Sequence, residues 1–418
     1  MFVLCQQVYI LCLVTIFVWF REAGATQSSR SAIKEIRQIE STARVSQHVF
    51  YLKDEIFAQF NTSHVLHRTR DAIGHSLAHN FSLPIVSRVS TFPVNSVACS
   101  TQDDLEQVVS ERDNDGRMHL QRIPDVTDKQ SVLSFARMAT NAYKEDELSD
   151  TWLEIGESWN RSLGIGWDSD GVRGHVFAEV SGSIVVIALK GTTTILSTDG
   201  DDSYRNDKIN DNLLFSCCCG KVSLSWNAVC DCHAEESYTC SQTCLERELM
   251  SRDNYYKASL RVFQDVIELY PNSSIWLTGH SLAGSLCSLI AQTYGVPAVV
   301  FGSPGEKLAA SRLHLPSWSH PHSEEYIWHF GNTADPLFMG TCNGPLSVCA
   351  MAGYAMESQC HSGLECIYDT VADRDYEMSL IYHKIVKMIE IIEDYDEPAA
   401  CSKPMSCQDC YLWNFVRD

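Results

Sequence analysis

The segment Ile275–Gly284, with the sequence IWLTGHSLAG, places a serine between a short apolar run and a helix-forming run. A strand that enters a sharp turn and then a helix lifts such a serine above the edge of the sheet. There the free N–H groups and the dipole of the helix favour developing negative charge. We therefore predict that Ser281 is the nucleophile of a serine hydrolase with the α/β-hydrolase fold.

The turn departs in one position from the usual G-x-S-x-G pattern. Ala283 stands where the second glycine is expected, and Gly284 follows it. Alanine adds only a methyl group, so we expect the turn to tolerate it with a small shift. A similar string, GHSLA at 74–78, contains Ser76, but no apolar strand precedes it and no glycine follows it. We interpret that string as ordinary surface or helix-start sequence.

The partners of the serine should follow it in the order acid, then histidine. Asp335 lies in a loop after the apolar run 325–330, which is where the acid is expected. Of the two histidines beyond it, His361 lies in a loop bounded by cysteines and His383 begins an amphipathic run 48 residues after the acid. We predict His383 as the base, with His361 as the alternative. Ser281 would attack a carbonyl, His383 would take its proton, and Asp335 would orient the imidazole.

An oxyanion formed by this attack needs two donors. One is the N–H of Leu282, directly after the nucleophile. The other is expected after an earlier buried strand, and Thr192 follows the run SIVVIAL at 183–189 with Gly191 permitting the turn. We predict that Thr192 supplies its N–H and its hydroxyl.

The elements that must hold these residues alternate along the chain. Apolar runs that predict strands occur at 173–180, 183–189, 274–278, 297–301 and 325–330, and helical periodicity occurs at 131–142, 256–270, 282–294 and 379–393. Such alternation favours an α/β fold, a mostly parallel sheet flanked by helices. Residues 199–211 are predicted to be a polar loop. The boundaries we infer are a lumenal N-terminal region at 21–120, a hydrolase domain at 121–395 with a cysteine-rich insertion at 196–244, and a cysteine-containing tail at 396–418.

Residues 1–20 are almost entirely apolar and carry no charged side chain. As a helix they would be about 30 Å long, the thickness of a bilayer core. The length favours an uncleaved transmembrane signal anchor, although the small residues Ala23–Ala25 would also suit cleavage of a signal peptide. In both cases we expect the rest of the chain to enter the secretory lumen.

The cysteines and sequons agree with a lumenal protein. There are 18 cysteines, seven of them between 217 and 244. An oxidising compartment favours disulfides, and the spacing lacks the paired C-x2-C of a structural zinc site, so we expect disulfides and no metal. Four N-x-S/T sequons predict glycosylation at Asn61, Asn80, Asn160 and Asn272.

Charge excludes one class of partner. The net charge is −21, and residues 101–418 carry 47 acidic against 23 basic side chains. A body of this sign repels nucleic acid, and the chain has no basic stripe to offset it. The chemistry predicted above also needs no cofactor.

Two motifs resemble those of the class 3 lipases: GHSLAG at 279–284 and FGSP at 301–304. The run NDKINDNLLFSCCC at 206–219 is similar to a signature of the fungal vacuolar autophagy-related lipase family, and the resemblance extends over most of 40–395. It implies cleavage of phospholipid and triacylglycerol esters, with phosphoinositides as a further ligand class. It also implies a single-pass type II protein that passes through endoplasmic reticulum, Golgi and multivesicular bodies. Such a protein would lyse autophagic bodies and intralumenal vesicles in the vacuole.

The resemblance places a lid after the oxyanion loop, within residues 196–244. Two other functions remain open from the residues alone. One is an esterase that acts on soluble or polymeric esters. The other is a lumenal binding glycoprotein that uses the α/β-hydrolase fold without catalysis.

Overall fold

The computed structural model describes residues 123–169, 171–193, 203–221, 228–251, 254–315, 326–344, 346–404 and 406–417. It also describes the backbone of two short strands, β1 (Gln47–Val49) and β2 (Leu120–Arg122), which pair antiparallel. Contacts divide the chain after Ser46, and every described residue belongs to the second part. The predicted anchor at 1–20 and the sequons at Asn61 and Asn80 lie outside the described residues. Within the described ranges, no helix has the length and apolar character needed to cross a membrane.

An eight-stranded sheet forms the centre of the protein, in the order β11, β10, β9, β8, β7, β5, β4, β3. The five strands from β10 to β5 are parallel, and the outer strands β11, β4 and β3 are antiparallel. This confirms the predicted mostly parallel sheet. The strands are β3 (Trp159–Ile165), β4 (Gly174–Glu179), β5 (Ile184–Leu189), β7 (Ser274–His280), β8 (Ala298–Phe301), β9 (Ile327–Asn332), β10 (Leu364–Tyr368) and β11 (Cys401–Ser402).

Helices cover both faces of this sheet, which explains why its strands are apolar without alternation. In β5, Ile184, Val186 and Ala188 face one core cluster, whereas Val185, Ile187 and Leu189 face the other. The helices are α1 (Lys129–Asn141), α2 (Tyr204–Phe215), α3 (Gln242–Leu249), α4 (Tyr255–Leu269), α5 (Leu282–Tyr294), α6 (Lys307–Arg312), α7 (Val348–Met351), α8 (Thr370–Arg374) and α9 (Ile385–Asp394). Helices α1 and α9 pack on the first face, and α4 and α5 pack on the second.

Two predicted elements were wrong in detail. The segment predicted as a polar loop at 199–211 contains most of helix α2, whose buried face includes Asp207, Asn210 and Asp211. This stretch of sequence has no apolar helical periodicity, because the residues that the helix buries there are polar. The helix predicted at 379–393 is a 3-10 turn, Leu380–His383, followed by α9, with Lys384 extended between them.

Seven disulfides form among the described cysteines, which confirms the predicted disulfides. They are Cys217–Cys410, Cys218–Cys240, Cys219–Cys230, Cys232–Cys244, Cys342–Cys349, Cys360–Cys407 and Cys366–Cys401. Cys287 is buried and unpaired. Three of these bonds fix the tail from Cys401 onward, where β12 (Asn414–Val416) pairs with β6 (Thr239–Ser241) of the cysteine-rich insertion.

The Cys217–Cys410 bond joins positions 193 residues apart. A cross-link over a long loop restricts the unfolded chain most, so the double variant Cys217→Ala/Cys410→Ala should lose about 2–4 kcal/mol of unfolding free energy. Urea unfolding followed by circular dichroism under non-reducing conditions measures this. The matched control is Cys342→Ala/Cys349→Ala, which removes a cross-link between positions 7 residues apart. It should lose less unfolding free energy. Equal losses would contradict the argument from loop length.

Candidate active site

The turn between β7 and α5 has the strained geometry expected of a nucleophile elbow. Ser281 has φ 59° and ψ −129°. Such a backbone costs on the order of 1–3 kcal/mol for a residue with a side chain. A Cβ at Gly279 would lie 2.7 Å from the carbonyl carbon of Ala283, and one at Gly284 would lie 2.9 Å from Ser303 Cβ. Glycine is therefore needed at 279 and 284, whereas the methyl group of Ala283 is accommodated.

A chain of hydrogen bonds joins the three residues predicted to be catalytic. His383 Nε2 is 2.9 Å from Ser281 Oγ, and His383 Nδ1 is 2.9 Å from Asp335 Oδ2. Asp335 is 1% exposed. Since a carboxylate can only accept, Nδ1 carries the proton and Nε2 is left to accept from the serine hydroxyl. This arrangement can remove the serine proton as the hydroxyl attacks an electrophile.

The alternative base, His361, does not contact Ser281. Its Nε2 donates to the Ser303 carbonyl at 2.8 Å, and its Nδ1 is 2.9 Å from Glu365 Oε1. Burial opposes its charged form, but Glu365 and Glu306 together raise the pKa of His361 above the ordinary value. Both ring nitrogens are thus occupied in a buried polar cluster beneath the FGSP turn.

The loops that carry Asp335 and His383 are joined by groups the sequence did not single out. The side-chain amide of Asn332, at the end of β9, donates to the Tyr382 carbonyl at 3.2 Å. Its oxygen accepts from the N–H of Ala334 at 3.1 Å, and the Ser379 N–H donates to the Ala334 carbonyl at 3.0 Å. The sequence offered one signal for this role, a polar residue at the end of a strand, but Asn332 was not predicted from it.

His280, which precedes the serine, was also missed as a site residue. Its Nε2 donates to the backbone carbonyl of His383 at 2.6 Å, and its Nδ1 accepts from the Tyr143 hydroxyl at 2.8 Å. Burial, reinforced by the nearby His383, lowers the pKa of His280 to about 3. It therefore stays neutral over the working range of an enzyme, as both of its hydrogen bonds require.

The predicted oxyanion loop lies against the elbow. A Cβ at Gly191 would overlap the His280 carbonyl and the Tyr143 hydroxyl, so the loop approaches as closely as only glycine allows. Leu282 is the first residue of α5, and its N–H has no acceptor within the helix. The Thr192 hydroxyl donates to Asp211 Oδ2 at 2.7 Å, so this proton is directed at α2. The predicted hydroxyl donation by Thr192 to the oxyanion is not the arrangement seen here.

Two carboxyl groups of α2 hold this loop. Asp207 Oδ2 accepts from the Thr193 N–H at 2.7 Å and lies 3.5 Å from Lys190 Nζ. Burial raises the pKa of Asp211 to about 8, although the hydrogen bond from Thr192 and the charge of Lys190 both lower it. Helix α2 therefore holds the loop that carries Thr192, the candidate oxyanion donor.

The two sequons that the structure describes lie at the surface. Asn160 is exposed on edge strand β3, and Asn272 is exposed in the turn before β7. Both positions are accessible to a glycosyl transferase, and glycosylation itself remains a prediction.

We expect His280→Phe, which keeps a ring but no hydrogen bond, to lower kcat about 100-fold, because displacement of a reacting group by about 1 Å has that cost. KM for a small soluble ester should change much less, since the substrate pocket is kept. His280→Gln, which can both donate and accept, is the control and should recover much of kcat. Steady-state kinetics with a short-chain ester checks this, and unchanged kcat in a folded His280→Phe variant would refute the positioning role.

Asp211 should make stability depend on pH. Its pKa is about 8 in the folded chain and about 4 when unfolded, so between these values the folded state binds the extra proton. Unfolding free energy should therefore rise as pH falls from 8 to 4, by up to ~1.4 kcal/mol per unit from this group. Asp211→Asn keeps an acceptor for Thr192 and should flatten that slope. Urea unfolding of both proteins at pH 8, 6 and 4.5 measures the difference, and parallel slopes would contradict it.

Comparison with known proteins points to one family. The model of the family "Lipase (class 3)" matches residues 186–296, which contain the elbow and the oxyanion loop. The chain is 54% identical over 298 residues to "Putative lipase ATG15" of Yarrowia lipolytica, covering 70% of this chain and 54% of that protein. It is 52% identical over 305 residues to the protein of the same name from Eremothecium gossypii, covering 71% and 56%.

The chain thus spans little more than half the length of the curated relatives it matches. Among solved structures, the Lip2 lipase of Yarrowia lipolytica is 15% identical with a TM-score of 0.31, covering 57% of this chain and 78% of that one. That likeness is too low to add to the fold described above. The sequence matches confirm the resemblance found in the motifs: the chain contains a class 3 lipase domain, and its relatives named putative lipase ATG15 are about 50% identical to it over the matched residues.

Proposed function

We propose that this protein is a lipase that hydrolyses carboxylic esters of membrane lipids and triacylglycerol through Ser281, His383 and Asp335. The observation that carries the proposal is the pair of 2.9 Å hydrogen bonds linking these residues above the end of β7. A buried acid, an imidazole in the required tautomer and a serine held in a strained turn are together what nucleophilic acyl transfer needs. The match to the class 3 lipase model supports lipid as the substrate class.

In the first half of the reaction, Ser281 Oγ attacks the ester carbonyl carbon while His383 Nε2 takes its proton. The negative charge then forms on the former carbonyl oxygen, beside the N-terminus of α5. There the N–H of Leu282 and the N–H of Thr192 are the proposed donors. Asp335, accepting from Nδ1, stabilises the imidazolium and keeps it oriented.

In the second half, His383 returns its proton to the leaving oxygen and the alcohol departs, leaving the acyl group on Ser281. Water then attacks this ester with His383 again as the base. The fatty acid leaves, and the serine recovers its proton. From a phospholipid the products are a lysophospholipid and a fatty acid; from triacylglycerol they are diacylglycerol and a fatty acid.

The biological setting is proposed from the family resemblance. Residues 1–20 would anchor the chain in a membrane, and transport through multivesicular bodies would deliver its body to the vacuole. There it would lyse the membranes of autophagic bodies and intralumenal vesicles, with phosphoinositides as a further ligand class. The lid expected within residues 196–244 would lie outside α2, which is buried and bonded to the oxyanion loop.

The central test compares the 418-residue chain with its Ser281→Ala variant on phosphatidylcholine vesicles and on a water-soluble short-chain ester. Removing the nucleophile should lower hydrolysis on the order of a million-fold, and Asp335→Asn should lower it about 10,000-fold. Ser76→Ala, in the look-alike string GHSLA, is the matched control and should leave activity unchanged.

Each alternative function has its own outcome in this test. A soluble esterase would hydrolyse the short-chain ester and not the vesicles. A binding glycoprotein would hydrolyse neither substrate, and its Ser281 would not react with a fluorophosphonate.

A further inference from the structure

The segment that follows the proposed catalytic acid is uncharged and partly exposed. Residues 336–356 contain no Asp, Glu, Lys, Arg or His, in a chain of net charge −21. Within it, the Cys342–Cys349 bond closes a short loop. Leu346 is 89% exposed, Val348 52% and Met351 72%. Single exposed apolar residues are ordinary, but three within six positions of one uncharged segment form an unusual surface.

A second group of exposed apolar side chains precedes the proposed base. Met378, Leu380 and Ile381 are 49%, 38% and 46% exposed. They belong to the turn that carries His383. The charges that flank this turn, Glu377 and Lys384, are both exposed and of opposite sign.

The two groups adjoin each other at the turn of the acid. The Ser379 N–H donates to the Ala334 carbonyl at 3.0 Å, and the Cys342 N–H donates to the Pro336 carbonyl at 3.0 Å. Between them, the Thr341 hydroxyl lies 2.9 Å from the sulfur of Met378. Both segments are therefore attached to the residues on either side of Asp335, which places these two groups of exposed apolar side chains on the segments that adjoin the candidate active site. We call the set Leu346, Val348, Met351, Met378, Leu380 and Ile381 the apolar rim.

We propose that the apolar rim is a docking surface that inserts into the surface of a lipid bilayer and presents the ester bond to Ser281. The proposal rests on the proposed lipase function and adds the face by which the enzyme meets its substrate. Apolar side chains at a membrane surface gain by leaving water, and binding scales with the area they bury. The uncharged segment is suited to this contact because the rest of the body is strongly acidic.

The construction of the rim also favours a bilayer as its occupant. A lipid ester is held in an aggregate, so a hydrolase site must be brought against that aggregate, and the rim lies on the segments that adjoin Asp335 and His383. The disulfide already orders the loop that carries Leu346 and Val348, which reduces the entropy lost on docking. Because Glu377 and Lys384 offset each other, attraction to a zwitterionic surface is expected to come from apolar insertion and to persist at high salt.

Footprinting tests the contact without relying on catalysis. The 418-residue chain with Ser281→Ala is exposed to hydroxyl radicals with and without phosphatidylcholine vesicles in 0.5 M NaCl, and oxidation is quantified by mass spectrometry. Met351 and Met378 should be oxidised at least threefold more slowly with vesicles. Val180 is the internal control and should be unaffected. It is 68% exposed in the turn between β4 and β5, at the sheet edge opposite Ser281. Equal oxidation of each methionine with and without vesicles would overturn the proposal. Protection that a higher protein concentration produces without vesicles would also overturn it, because it would indicate contact between copies of the chain.

A variant separates docking from chemistry. Leu346→Ser/Val348→Ser/Met351→Ser should lower vesicle hydrolysis at sub-saturating lipid by at least about tenfold, since burial of one such side chain alone is worth that factor. Hydrolysis of the soluble short-chain ester should stay within twofold of the parent. Val180→Ser is the matched control, and residues 1–20 are common to all three proteins, so any tethering by them cancels.

The outcomes distinguish the two proposals. If the parent hydrolyses vesicles and the triple variant does so equally well, the docking surface is wrong while the lipase function stands. If the parent hydrolyses neither substrate, the lipase function is wrong, and the footprint still decides whether the rim meets a bilayer.

Discussion

The backbone of Ser281 is the constraint around which the rest of the site is arranged. A residue with a side chain does not adopt φ 59° and ψ −129° unless its surroundings impose that conformation. Here the Ser281 N–H donates to the Phe301 carbonyl on β8 at 3.0 Å, and its own carbonyl accepts from Ser285 in α5 at 3.2 Å. A Cβ at Gly279 would lie 2.7 Å from the carbonyl carbon of Ala283, so the strand and the helix approach each other here as closely as glycine allows. The serine is thereby tied to both the sheet and the helix.

The imidazole is held with similar redundancy. Its ring is bound by Asp335 on one side and Ser281 on the other, while its backbone carbonyl accepts from His280. Because His280 is the neighbour of Ser281 in the chain, the same turn that strains the serine also positions the base. The break at Lys384 is the local feature that makes this possible, since a continuous helix would have committed the His383 carbonyl to an intrahelical bond.

Helix α2 extends this network from the oxyanion loop to the cysteine-rich insertion. Buried polar groups are costly unless paired, and α2 pairs them in several directions. Asp207 and Asp211 bond to the oxyanion loop, while Asn210 and Asn212 accept from the N–H groups of Tyr255 and Ala355. The cysteine cluster that follows α2 is fixed by disulfides and by the buried Arg312, which donates to the carbonyls of residues 216 and 217. The stability of the insertion and the geometry of the site are thus coupled through one helix.

The sequence by itself determined the strands β4, β5, β7, β8 and β9, the elbow and the three residues that the structure joins by hydrogen bonds, whereas it did not predict β3, β10 and β11. Each of these has a local or ordered signature: apolar runs buried on both faces, glycines around a serine, and a fixed order of acid and base along the chain. Only the tertiary structure decided that α2 is a helix, that His361 belongs to another cluster, and that His280 and Asn332 support the site. Those features depend on polar groups that meet across distant parts of the chain. Burying these polar groups is tolerated because each has a hydrogen-bond partner. When that partner lies far away in the sequence, no periodic pattern of residues predicts the burial.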